Sequence, residues 1–174
     1  MAAPNKQNLT IMPSVKYAIF TLLVAFVFAC TSPPDYPPEP VLSFQSLSKD
    51  TLNRGYDDED HTVVTLSFTD GDGDISGLDT NNMFLIDTRT GFTEGNFTIP
   101  DIPKVGTANG ISGDIIFNLK TTCCQFPDPG LAGCEDEMPG FLYDTVVYEV
   151  YLLDLAGHES NHILLPPIYI RCFD

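Results

Sequence analysis

The chain reads as an all-β protein, an antiparallel sandwich of about seven strands. Three observations predict this: apolar residues recur with a period of two, clusters of Gly, Pro, Asn and Asp punctuate those runs, and no stretch repeats with the period of an amphipathic helix. The first strand is residues 41–47, VLSFQSL. The clearest is HTVVTLSFTD, residues 61–70, where Val64, Leu66 and Phe68 point one way and Thr65, Ser67 and Thr69 the other. Weaker alternation marks residues 83–88 and 92–99. In GDIIFNLK, residues 113–120, the apolar face is Ile115, Phe117 and Leu119. YDTVVYEVYLLD, residues 143–154, sets Val146, Tyr148, Val150 and Leu152 against a mixed face, and residues 162–172 supply the last strand.

Seven strands is the count of an immunoglobulin-like sandwich. Within VYEVYLLDLAGHESNHILLPPIYI, residues 147–170, Asp154, Ala156, Gly157 and Ser160 fall on the pattern V-x-V-x-D-x-A-G-x-x-S. The segment resembles the last two strands of bacterial immunoglobulin-like domains, in which an aspartate ends one strand and an Ala-Gly turn leads into the next. FTDGDGDI, residues 68–75, resembles a segment carried by lipoproteins of Gram-negative bacteria. That resemblance implies an architecture and no activity.

Ahead of the sandwich domain, residues 41–174, lie two segments of different character. Lys6 and Lys16 precede the apolar run YAIFTLLVAFVFA, residues 17–29. That run is shorter than the ~20 residues of a membrane-spanning helix and suits the apolar part of a secretion signal, residues 1–29, with Met1 or Met12 as the start. Val27-Phe28-Ala29-Cys30 resembles the lipobox of bacterial lipoproteins, which implies a lipidated Cys30 as the mature N-terminus. Ordinary cleavage nearby, leaving Cys30 a plain thiol, is the alternative. Residues 30–40 then form a tether: TSPPDYPPEP, residues 31–40, is half proline and should run as an extended spacer of ~30 Å. Thr31 resembles the residues that permit outer-membrane sorting, so the expected place is the cell envelope, as an outer-membrane lipoprotein facing either side.

The formal net charge is −16. Removing Lys6 and Lys16 with the signal leaves six basic against 24 acidic side chains, or −18. Such a surface repels nucleic acid and anionic headgroups and attracts cations or basic partners. Besides Cys30 the chain has Cys123, Cys124, Cys134 and Cys172, an even number in a secreted protein and without a C-x-x-C pair, which favours two disulfides. Three of them lie in TTCCQFPDPGLAGCEDEMPG, residues 121–140, a long insertion between the fifth and sixth strands, E and F, that needs stapling to be ordered. Cys172 ends the last strand at the same end of the sandwich. It is therefore expected to pair with Cys123 or Cys124, and Cys134 with the other. This acidic, cysteine-rich end, with Asp57 to Asp60 nearby, is a candidate surface for a protein or glycan ligand, or a merely solubilising one.

The most chemically suggestive segment is DGDGDISGLD, residues 70–79. Asp70, Asp72 and Asp74 alternate with glycines that allow a tight fold, so three carboxylates can converge on one hard cation. The spacing resembles the start of an EF-hand loop, with two departures: Ile75 stands where that loop has glycine, and Asn81 where it has a bidentate acid. A looser Ca²⁺ site with Asp154 as fourth ligand is expected, because the loop after strand B and the turn between strands F and G lie at one end of the sandwich. Glu159 could lie close by. The first strand begins at this end too, so the loop should face the tether, where a cation would stiffen the joint. A solvated Asp/Gly turn is the plainer reading.

His158-Glu159-Ser160-Asn161-His162 spells the H-E-x-x-H pattern of zinc peptidases. Both imidazoles reach one ion only on a helix, and Gly157, Pro166, Pro167 and the alternation upstream deny one. On a strand they would sit ~13 Å apart. Leu165 and Ile168 also stand where the extended zinc pattern has Gly and His. No nucleophile with a nearby base and no phosphate loop appears. The expected function is thus non-enzymatic: a lipid-anchored envelope module for adhesion, ligand binding or an accessory role in a complex, with a secreted hydrolase, glycosidase or zinc peptidase, as the alternative.

Overall fold

The computed structural model describes residues 35–56, 59–77, 81–102 and 110–173. Cys30, the signal segment, residues 31–34, Asp57, Asp58 and Asp79 lie outside the described residues. Those described fold into strands and turns with no helix. The strands are β1 (Val41–Leu47), β2 (Thr51–Asn53), β3 (His61–Asp70), β4 (Met83–Asp87), β5 (Phe92–Phe97), β6 (Ile111–Lys120), β7 (Tyr143–Val146), β8 (Tyr148–Leu152), β9 (Ile163–Leu164) and β10 (Ile168–Arg171).

One layer has the order β1-β3-β6, antiparallel throughout. The other is built of two sheets, β5-β4-β8-β9 and β2-β10-β7. β7 and β8 are one strand interrupted at Val147, and β9 and β10 one strand interrupted at Leu165-Pro166-Pro167, where proline withholds ladder donors. β1 pairs in the first layer with β3, and β2 joins the second, running parallel to β10. This is the immunoglobulin-like arrangement, with the first strand switching sheets and three strands facing four.

The predicted alternation is realised inside the sandwich. Val64, Leu66 and Phe68 of β3 and Phe117 and Leu119 of β6 bury their side chains against Leu85 of β4 and Val146, Tyr148, Val150 and Leu152 of β7 and β8. At ~25 cal/mol per Å², each of these side chains contributes roughly 1.5–3 kcal/mol relative to exposure. The short β2 has only Leu52 as its buried contribution, and three residues are too few to show a period.

Both disulfides fall within the predicted alternatives. Cys124 pairs with Cys172, with Cα atoms 6.0 Å apart, and Cys123 with Cys134 at 4.8 Å. The first joins the insertion to the end of the last strand inside the core, where Cys172 and Cys124 are buried. The second closes the insertion on itself. Arg89 adds a charged clasp at this end: its guanidinium holds buried Asp87 at 2.5 Å and Asp144 at 2.6 Å, tying the β4–β5 turn to β7. The Arg89 guanidinium, paired and hydrogen-bonded to Asp87, is what makes that buried carboxylate tolerable there.

Candidate metal centre

The alternation of β3 does not stop at Phe68. Asp70 is the next inward position, and it is fully buried. A carboxylate placed on the core face of a strand costs several kcal/mol unless it is paired. Asp70 Oδ2 accepts the backbone N–H groups of Asp74 (2.7 Å) and Ile75 (3.2 Å), which curl the loop around it. Its other oxygen, Oδ1, is buried with no hydrogen-bond partner, and so is Oδ1 of Asp74. Gly73 adopts a φ of 72°, the left-handed region that glycine enters without strain.

Ile75 and Asn82 fix the loop from below. Ile75 is fully buried, so the residue that departs from the EF-hand pattern is the loop's apolar anchor. Asn82, also buried, donates through Nδ2 to the carbonyls of Ile75 (2.7 Å) and Leu153 (3.2 Å) and accepts the N–H of Ile99 at 2.9 Å. One amide thereby joins the aspartate loop, the end of β8 and the chain after β5. The N–H of Leu155 donates to the carbonyl of Asp74 at 3.1 Å and completes the connection between the two loops.

These contacts bring Asp154 to the aspartate loop. Asp70, Asp72, Asp74 and Asp154 each offer an oxygen, all within 4.8 Å of one another. Mutual repulsion and burial appear in the titration of the group. Burial first, then Asp72 and Asp74, push the Asp70 carboxyl up to about 6. Asp74 is raised by burial and then by Asp154 and Asp72. The arrangement thus fits a hard cation: oxygen donors only, two of them buried and without a partner, on a frame braced by backbone hydrogen bonds.

His158 stands at the rim. Its N–H donates to Asp154 Oδ1 at 2.7 Å, and its Nδ1 lies 2.8 Å from Asp154 Oδ2 and 3.9 Å from Asp72. The hydrogen bond to Asp154 raises its pKa, which favours the protonated ring beside the aspartates. Asp72, Asp154 and His158 form a second, overlapping donor set. His162 does not join it. His162 faces Glu149 and Glu159 and stacks on Tyr151 with ring centroids 4.5 Å apart. The two histidines of the H-E-x-x-H pattern are therefore turned to different carboxylates, no helix carries them, and Glu159 is occupied by His162 rather than placed beside the aspartates.

The end of the tether belongs to this site. The N–H of Gly71 donates to the carbonyl of Pro37 at 2.8 Å. A Cβ on Gly71 would meet the carbonyl oxygens of Tyr36 and Pro37 at 2.4 and 2.5 Å, and one on Gly110 would meet Tyr36 Cδ2 at 2.9 Å. Two glycines thus make a seat for Tyr36-Pro37, which close packing forbids to any larger residue. Asn161 extends the clasp into β1: its side-chain amide accepts from the N–H of Leu42 (2.7 Å) and donates to the Leu42 carbonyl (3.0 Å). The spacer, expected to be extended to residue 40 and to be faced by the aspartate loop, rests at Tyr36-Pro37 directly against that loop.

At the opposite end the acidic side chains are partly engaged. Tyr56 donates to Glu135, and Arg54 reaches the Asp136 carbonyl and Glu137. Lys49 holds Asp60 at 2.5 Å. Comparison of the chain with models of protein families, with curated proteins and with solved structures finds no match, so the reading of function rests on the geometry of the aspartate site itself.

Proposed function

We propose that the chain is a non-enzymatic, lipid-anchored module of the bacterial cell envelope, held at the outer membrane through Cys30, in which a Ca²⁺ ion bound by Asp70, Asp72, Asp74 and Asp154 stiffens the joint between tether and sandwich. The observation that carries this reading is the buried, unpaired Oδ1 of Asp70, grouped with the carboxylates of Asp72 and Asp74 in the loop on which Tyr36 and Pro37 rest and with that of Asp154 in the turn after β8. A divalent cation there relieves the repulsion and supplies the missing partner. With no bidentate glutamate, the expected affinity is that of extracellular modules, about 10⁻⁴ to 10⁻³ M. A rigid joint suits an adhesive or accessory subunit that presents a surface at a fixed distance from the membrane. The acidic, disulfide-stapled end is the surface it presents to a protein or glycan ligand.

Asp72, Asp154 and His158 support a second reading, a site for zinc or another nitrogen-seeking ion and with it the hydrolase alternative. Thermal unfolding of an oxidised chain beginning at Thr31 separates them. At about fifty times Kd, calcium is expected to add about 2 kcal/mol, raising the midpoint over that in EDTA by roughly 5–8 °C, with Asp72→Asn abolishing the rise. A response to Zn²⁺ alone, lost in His158→Ala, overturns the calcium reading. Peptide or glycan hydrolysis abolished by Glu159→Gln overturns the non-enzymatic one.

A further inference from the structure

Among the described residues, a seam between the two layers of the sandwich carries no pairing strand. β6 is the outer strand of its layer and β5 the outer strand of the other. Between their edges lies a cleft of about 370 Å³, with Leu85, Leu119 and Tyr148 at its floor and Gly95, Phe97 and Asn118 along its walls. The rings of Phe97 and Phe117, with centroids 5.0 Å apart, close it toward the aspartate end. Ile102 and Gly110, which flank the connection from β5 to β6, are both held at that end, by Ser76 and beside Asp70 and Gly71.

The register of β6 decides which of its backbone groups face the seam. The N–H of Thr121 donates to the carbonyl of Asp60 at 2.8 Å, one step beyond the Lys120–His61 pair. In an antiparallel ladder every second residue turns its N–H and C=O to the same neighbour. Leu119, Phe117 and Ile115 therefore bond to β3, whereas Asn118, Ile116 and Asp114 present theirs to the open edge. Among the described residues no strand pairs with that edge. Natural sheets guard such edges with proline, bulges or lysines. β6 has no proline, its register runs unbroken over ten residues, its one lysine is the terminal Lys120, and Ile116 is 65% exposed.

We infer that the β6 edge is a docking strand for an extended, basic segment of another protein, which adds to β6 and lays alternate apolar side chains into the cleft. The backbone of β6 selects a strand, because only an extended chain matches its donor and acceptor spacing. Charge selects the partner: Glu94 lines the cleft together with Lys120, Asp114 lies on the edge strand itself, Glu59 and Glu135 flank Tyr56 at the far end, and the whole chain carries −16. Equal negative charge disfavours a second copy in the same place. The inference rests on ladder register and charge, and it stands apart from the cation site.

The test uses the full chain in detergent and a fluorescent octapeptide alternating valine and lysine, alongside the same peptide N-methylated on one edge. Fluorescence anisotropy should show binding of the first peptide and at least tenfold weaker binding of the second, and the amide NMR shifts on binding should fall on residues 114–120 of β6 and on the cleft residues 94–97. Ile116→Pro removes an outward N–H while sparing the bonds to β3, and is expected to weaken binding tenfold or more. Asp114→Lys, an exposed change, should weaken it several-fold should the proline variant fail to fold. Absence of binding, equal binding of the methylated peptide, or edge-to-edge dimers of the protein through β6 overturns the inference.

Discussion

Asp70 shows how one residue can be both a continuation of the fold and its chemical centre. The period that buries Val64, Leu66 and Phe68 carries the next inward position into the core, and that position is an acid. Removing its charge should therefore help the metal-free protein and ruin the metal-bound one. Asp70→Asn is expected to raise the unfolding midpoint in EDTA and to abolish the calcium response; a variant destabilised in EDTA would count against a repulsive cluster. Asp70, Asp72 and Asp74 were legible from spacing alone, and Asp154 only through the expected topology, which sets the turn between strands F and G beside the loop after strand B. Asn82 was not, because a lone asparagine before a strand has no period and no motif, and its role appears only when three chain segments converge on its amide. Glu159, which the topology left free to lie close to the aspartates, is hydrogen-bonded to His162. That histidine, on the outer face of the second layer, has its pKa raised above 6.5 by its hydrogen bonds with Glu149 and then Glu159. Its contribution to stability is thus fully present below pH 6.5 and is lost as pH rises through the higher folded value. Proton NMR should place its midpoint above that of an unpaired histidine, and Glu149→Gln should lower it.

At the scale of elements, what was legible is what repeats. β3, with five inward side chains from Thr62 to Asp70, falls on the residues its alternation marks. β2 was missed since only Leu52 of its three residues points inward, and its pairing with β10 is a tertiary contact between distant segments. The single strands expected over residues 143–154 and 162–172 are each divided, the second at its two prolines. The disulfides follow the same logic of placement. Sequence put Cys172 at the insertion's end of the sandwich without choosing between Cys123 and Cys124, because adjacent residues differ only in which way they point. The two bridges should differ in weight. Cys124–Cys172 closes a separation of 48 residues and Cys123–Cys134 one of 11. Chain entropy then assigns roughly 4 kcal/mol to the first and roughly 3 kcal/mol to the second. Paired Cys→Ala variants compared by urea unfolding should reproduce that order, with the additional loss of buried sulfur widening the gap.

Across the whole molecule the two ends of the sandwich divide the work. One carries the aspartates, the turn with Asp154 and His158, and the seat for Tyr36-Pro37; the other carries both disulfides, the Arg89 clasp and the acidic insertion. The seat depends on the absence of a side chain at Gly71. Gly71→Ala should free residues 35–40 for proteolysis while leaving the β3–β6 ladder intact, and cleavage at the wild-type rate would show that the seat holds nothing. The proposed coupling of cation to tether is read most directly from amide hydrogen exchange at Gly71, whose N–H is bonded to the Pro37 carbonyl, with Ca²⁺ at about fifty times Kd and in EDTA. The account predicts that calcium slows exchange at Gly71, Asp74 and Ile75 at least tenfold while Thr65, in the middle of β3, is unchanged. Equal rates at Gly71 in calcium and in EDTA would contradict it.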